Sequence, residues 1–107
     1  LPEAATRLGR LAYLKGTDDE PIGTVANLLL DALGVDVGLC WKDGDGGRVN
    51  VSVRSRRGLT FHLGEITRRV AGRHGGFGGG HKRASGASIP GSGFEGFIED
   101  LERELSG

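Results

Sequence analysis

The sequence has no methionine, a single cysteine, three prolines, one tryptophan and one tyrosine in 107 residues. With no partner for Cys40, an internal disulfide is excluded, and the chain fits a reducing compartment. No apolar run approaches the roughly 18 residues needed to cross a bilayer, and nothing resembles a secretory leader. The expected setting is therefore the cytoplasm, away from any membrane. The missing methionine, in a chain that starts at Leu1, leads to the expectation of a piece cut from a longer protein. Net charge is absent too. Fourteen basic and fourteen acidic side chains cancel, which excludes a uniformly basic surface that coats nucleic acid. Finally, His62, His74 and His81 stand without carboxylates or cysteines at metal-ligand spacing. Lone histidines of this kind are ordinarily surface or structural groups, and His62 and His74 are read so.

What is present is unevenly spread. Residues 48–83 hold Arg48, Arg54, Arg56, Arg57, Arg68, Arg69, Arg73, Lys82 and Arg83 against Glu65 alone. A locally positive surface facing an anionic ligand follows. Length fits one domain, taken as residues 1–107.

Periodicity gives the elements. Leu8 to Leu14 reads as a strand. TDDEP follows with helix-start chemistry, Asp18 or Asp19 as cap and Pro21 in the first turn. Ile22, Val25, Ala26, Leu29 and Leu33 then recur at helical spacing up to Gly34. Val35, Val37, Leu39 and Trp41 alternate with Asp36, Gly38, Cys40 and Lys42. After KDGDGG, Val49, Val51 and Val53 alternate with Asn50, Ser52 and Arg54. Two alternating runs around a Gly-Asp turn predict a β-hairpin, with Ser52 and Arg54 opposite the valines. Leu63, Ile66 and Val70 predict a second helix, cut off at Gly72. ASGASIP reads as a short strand. Ser92 to Glu95 matches a capping box before the apolar stripe of Phe94, Phe97, Ile98, Leu101 and Leu105. The predicted order is β-α-β-β-α-β-α: an α/β (α+β) fold in which helices cover a mixed sheet.

Residues 75–88, GGFGGGHKRASGAS, concentrate glycine between two packed elements, so a shaped loop is expected there rather than a linker. Bare main chain lets an anion reach successive N–H groups, and His81, Lys82 and Arg83 are donors suited to the same anion. The bland alternative is a tight loop without a ligand. A P-loop is excluded because no serine or threonine follows Lys82. The dinucleotide fingerprint is excluded because the glycines run from helix to strand. Phe77 either stacks on a base or plugs the loop onto the core.

These residues carry a resemblance. Gly78-Gly79-Gly80-His81 followed by Ala84-Ser85-Gly86 is similar to the GGGHxxAAG signature of the DHHA1 domain, with Ser85 where alanine is usual. Ser52-Val53-Arg54-Ser55 resembles the family's S-x-R-S strand end, and LLLDALGVDVGLCW resembles its start. The DHHA1 domain is the C-terminal, substrate-binding half of DHH-family phosphoesterases, which include RecJ-like exonucleases, nanoRNases and cyclic-dinucleotide phosphodiesterases.

The resemblance implies that this chain holds substrate and hydrolyses nothing by itself. No cofactor is expected in it, and the metals (manganese or magnesium) belong to an N-terminal DHH domain of the same polypeptide. The implied substrate-binding residues are Arg54, Ser52, Ser55, Gly78, Gly79, Gly80, His81 and Arg83. The glycine N–H groups and His81 would hold a phosphate, and Arg54 would add a charge-assisted contact. Short nucleic acid, a dinucleotide or another phosphoester is the expected ligand. The bland reading of Arg56, Arg57 and Lys82 is a solvated basic face. Two other readings stay open: a stand-alone nucleotide- or RNA-binding module akin to the C-terminal domain of alanyl-tRNA synthetase, and a lapsed site kept for packing.

Overall fold

The structure, a computed structural model, is described for residues 4–107. Six strands form one mixed sheet. In chain order the elements are β1 (Thr6–Leu8), β2 (Leu11–Lys15), α1 (Ile22–Leu33), β3 (Val37–Asp43), β4 (Arg48–Ser55), α2 (Leu63–Arg73), β5 (Phe77–Gly80), β6 (Ala84–Pro90) and α3 (Phe94–Ser106). Across the sheet the order is β1-β2-β3-β4-β6-β5. β2 and β3 are parallel, joined by the α1 crossover, and every other pair is antiparallel.

Two cores lie on opposite faces of the sheet. Val37, Leu39, Val49, Val51 and Val53 pack with Leu63, Ile66 and Val70 of α2 and Phe97, Ile98 and Leu101 of α3. On the other face Leu14 and Cys40 pack with Val25, Ala26 and Leu29 of α1. The alternation in β4 is thus a one-sided strand, as expected. β3 is different, because Val37 to Cys40 are buried on both faces. Gly38 makes this possible, since a side chain there would meet the Ala26 carbonyl of α1. Burial also pushes the Cys40 thiol up from its ordinary pKa, which opposes thiolate chemistry.

Four sequence expectations need correction. Leu8 to Leu14 is a tight hairpin rather than one strand. Gly9 turns the chain with φ +58, and the Arg10 N–H donates to Glu102 Oε2 at 3.1 Å. Neither Asp18 nor Asp19 caps α1: Pro21 is its extended N-cap residue, with no side-chain cap. The Ser92 capping box does not form either, because a 3-10 turn over Gly91–Gly93 leads straight into α3 and the Phe94 N–H bonds the Gly91 carbonyl. Gly72 lies within α2, which ends at Arg73 with His74 as its C-cap residue. The other expected elements are present, and the two that were missed, β1 and β5, are both short edge strands.

His62 and His74 take structural roles. His62 Nδ1 accepts the Glu65 N–H at 3.1 Å and caps α2. His74 Nε2 lies 3.1 Å from Asp100 Oδ2 and ties the end of α2 to α3.

Candidate functional site

The glycine segment is a strand. β5 runs antiparallel to β6, with Phe77 opposite Ser88, Gly78 opposite Ala87, Gly79 opposite Gly86 and Gly80 opposite Ser85. Backbone groups alternate in direction along an antiparallel ladder. The His81 N–H donates to the Ala84 carbonyl at 2.8 Å, so Gly79 and Phe77 point into β6. Gly78 and Gly80 therefore turn their N–H groups off the free edge. The three glycines do not form a nest of consecutive N–H groups, because an extended chain cannot aim neighbouring amides the same way.

Packing explains part of the glycine content. Gly79 and Gly80 have φ of +152 and +149, a conformation that L side chains rarely adopt. The first turn of α2 also presses on this edge: a Cβ on Gly64 would collide with the Gly80 carbonyl. The N–H groups of Leu63 and Gly64 donate to the carbonyls of Lys82 and His81, each at 2.9 Å. Hence the start of α2 is satisfied internally and offers no open anion site.

Sheet register places the remaining residues. Arg54 pairs with Ala84, Ser52 with Gly86, Asn50 with Ser88, and Arg48 with Pro90. Carried one strand further, Arg54, Ala84 and His81 form one row, Ser52, Gly86 and Gly79 a second, and Asn50, Ser88 and Phe77 a third. Arg54 and His81 stand about two strand spacings apart, roughly 10 Å. All three rows lie on the α1 side of the sheet, where α1 covers β3 and β4 and leaves β6 and β5 open.

Arg54 is held by main chain. Its Nη1 donates to the Val53 carbonyl at 2.9 Å and to the Ser85 carbonyl at 3.3 Å. Its Nη2 rests against the first turn of α1, where a Cβ on Gly23 would come within 2.5 Å of it. No carboxylate pairs with Arg54 among the described residues. The guanidinium lies in an open cleft of about 610 Å³, walled by Pro21 to Thr24 and Asn27 on one side and by Lys42, Asp43, Asn50 and Ser52 on the other; Asp43, its one carboxylate, is paired with Lys15 at 3.0 Å. Gly23 was not legible as a site residue, although a glycine in a helix's first turn is a signal of close approach.

Other expected residues fall elsewhere. Ser55 is buried on the valine face, and its N–H donates to the Arg83 carbonyl at 3.1 Å, so its side chain is turned away from Arg54. Arg83 lines a second hollow of about 480 Å³ with Arg57 and Lys82, at the end of the sheet beyond His81. Arg56 is paired with Asp36, which Arg10 also bonds at 2.8 Å. Phe77 is 67% exposed and plugs nothing. Among the described residues, no three His, Cys, Asp or Glu side chains converge as metal ligands, and no helix is long and apolar enough to cross a membrane.

The DHHA1 domain family matches this chain over residues 9–107, which includes both motifs and all three rows. The chain belongs to the DHHA1 domain family. Its fold is also that of solved relatives. The C-Ala domain of Aquifex aeolicus alanyl-tRNA synthetase superposes with a TM-score of 0.72 at 20% identity, over 96% of this chain and 98% of that one. A pGpG-specific phosphodiesterase from Vibrio cholerae gives 0.66 at 16% identity, over 97% of this chain and 36% of its own. RecJ from Thermus thermophilus, solved in complex with Mn2+, gives 0.62 at 23% identity, over 92% and 14%. This DHHA1 domain thus spans nearly all of the C-Ala chain but only a minor part of the phosphodiesterase and the nuclease, which are multi-domain. No curated protein matches it.

Proposed function

We propose that this DHHA1 domain is the substrate-holding half of a DHH-family phosphoesterase and grips a phosphate of its phosphoester. The observation that carries this reading is the state of Arg54. Its guanidinium is fixed by two carbonyls, faces an open cleft and has no carboxylate partner among the described residues. A preorganised, uncompensated guanidinium favours a phosphate oxygen and presents its remaining N–H groups as a fork. Ser52 adds a hydroxyl from the same strand face, and His81 a ring N–H from the far side of the row. Only the methyl of Ala84 stands between Arg54 and His81, and Gly79 and Gly86 leave the adjoining Ser52 row free of side chains, while Gly78 and Gly80 offer N–H groups at the sheet edge. Arg83, with Arg57 and Lys82, extends the positive surface beyond His81.

The chemistry itself belongs to a DHH domain carrying manganese or magnesium. This domain's contribution is to hold the phosphodiester still against it, which lowers the barrier by orientation. A second reading rests on the match to nearly the whole C-Ala chain: a module that binds RNA or a nucleotide without hydrolysis.

Titration of the domain with short 5′-phosphorylated oligonucleotides tests the proposal. Arg54→Ala weakens binding roughly tenfold or more, as loss of a charged hydrogen bond does, and Arg54→Lys recovers only part. Circular dichroism stays unchanged for both. Equal affinities for wild type and Arg54→Ala overturn the assignment. Tight binding by the isolated domain favours the second reading, since a substrate-holding half shares its contacts with the catalytic one.

A further inference from the structure

One large apolar side chain stands apart on the open face. Leu8, Leu28 and Phe77 are the exposed large hydrophobics among the described residues, and Phe77 is the most exposed at 67%. It does not lie loose. Arg48 Cζ sits 5.3 Å from its ring centroid, and Arg48 is itself anchored by Ser88, through Nε to the hydroxyl at 2.7 Å and Nη2 to the carbonyl at 2.9 Å. One ring face is thus backed by a fixed cation, which leaves the opposite one to solvent.

Register places this ring on the same side of the sheet as Arg54, with Ser52, Asn50, Ser88 and two glycines between. The rows from Arg48–Pro90 to Arg54–Ala84–His81 contain no carboxylate. Phe77 lies four residues, roughly 13 Å, along the sheet from the Arg54–Ala84–His81 row and two strand spacings, roughly 10 Å, across it from Arg54, about 16 Å in all. That separation exceeds the reach of a phosphate to its own base and suits the base of the next nucleotide.

We propose that Phe77, braced by Arg48, is a stacking platform for a nucleobase, so that this domain takes nucleotide-bearing phosphoesters of at least two residues and not bare phosphate chains. The inference rests on the phosphate grip at Arg54. An aromatic face beside uncompensated cations supports a base and its backbone together, without selecting which base it is. The structural alternative, Phe77 as core filler, is excluded by its exposure.

The test compares a 5′-phosphorylated trinucleotide, its abasic analogue and inorganic tripolyphosphate on wild type, Phe77→Ala, Phe77→Trp and Arg54→Ala. Phe77→Ala is expected to weaken the trinucleotide roughly five- to a hundredfold and to leave the abasic analogue and tripolyphosphate unchanged. Phe77→Trp restores binding. A 2-aminopurine in the trinucleotide is quenched by wild type and not by Phe77→Ala. If Phe77→Ala matches wild type on the trinucleotide while Arg54→Ala still weakens it, the platform is overturned and the phosphate grip stands. If Arg54→Ala has no effect, both fall together.

Discussion

Ser85 occupies the place in its motif where alanine is usual, and a single contact accounts for it. Its hydroxyl lies 2.8 Å from that of Thr67, and both side chains are buried. The pair joins α2 to β6 directly beneath the row that carries Arg54. Removing one partner leaves the other hydroxyl buried with a lost bond, whereas removing both leaves only apolar contact. Ser85→Ala or Thr67→Val alone is therefore expected to destabilise the domain by about 1 kcal/mol, and the double variant by less than the sum. Chemical denaturation of the four proteins measures this; strict additivity would contradict the coupling. From the sequence, Ser85 was visible as a departure but its cause was not, because Thr67 is eighteen positions away and lies on another element. Gly23 is a similar case. Its role depends on where the Arg54 side chain lies, which no local spacing encodes.

At the scale of elements, periodicity revealed what hydrophobic patterning controls. α1, the β3–β4 hairpin, α2, β6 and α3 all bury a face, and each left a period in the sequence. β5 left none, because its four residues FGGG carry one side chain and that one points outward. Its strand conformation comes from pairing with β6, a tertiary cause. The same holds for β1, three exposed residues that exist as a strand through β2.

The α2–α3 contact supplies a prediction at this scale. Arg73 bonds Glu104 at 3.0 Å and Asp100 at 3.3 Å, Arg69 bonds Glu104 at 2.8 Å, and His74 reaches Asp100 at 3.1 Å. Hydrogen bonds from Arg69 and Arg73 hold the Glu104 carboxyl below its ordinary pKa. Burial alone would raise that of Asp100, but hydrogen bonds from His74 and Arg73 outweigh it and the result is a lowered value. Carboxylates with depressed folded-state pKa values stabilise the fold above the ordinary carboxylate range, and that stability is lost as pH falls through the folded values. The melting temperature is thus expected to drop as pH is lowered below about 4. Asp100→Asn should flatten that acid limb; an unchanged limb would show that the clamp does not matter.

For the molecule as a whole, charge is sorted by location. Arg10, Lys15, Arg56, Arg69, Arg73 and Arg103 face carboxylates. Arg7, Lys42, Arg48, Arg54, Arg57, Arg68, Lys82 and Arg83 have no such partner among the described residues, and five of them, Arg48, Arg54, Arg57, Lys82 and Arg83, lie toward β4, β6 and the end of the sheet beyond His81. Zero net charge therefore coexists with a positive face. The sequence showed the basic segment from 48 to 83, but not which of its members α3 neutralises, since the acidic side chains come from the other end of the chain. Its resemblance to the DHHA1 domain indicated Arg54 and His81, while the sheet register that sets them in one row needed the structure. The most direct measurement is a backbone-amide NMR titration of this domain with a 5′-phosphorylated nucleotide. The account predicts shifts confined to Gly23, Ser52 to Arg54, Gly78 to His81 and Ala84 to Gly86. Shifts clustered around Tyr13, Trp41 and Phe94 on the opposite face, with Arg54 and its row silent, would contradict it.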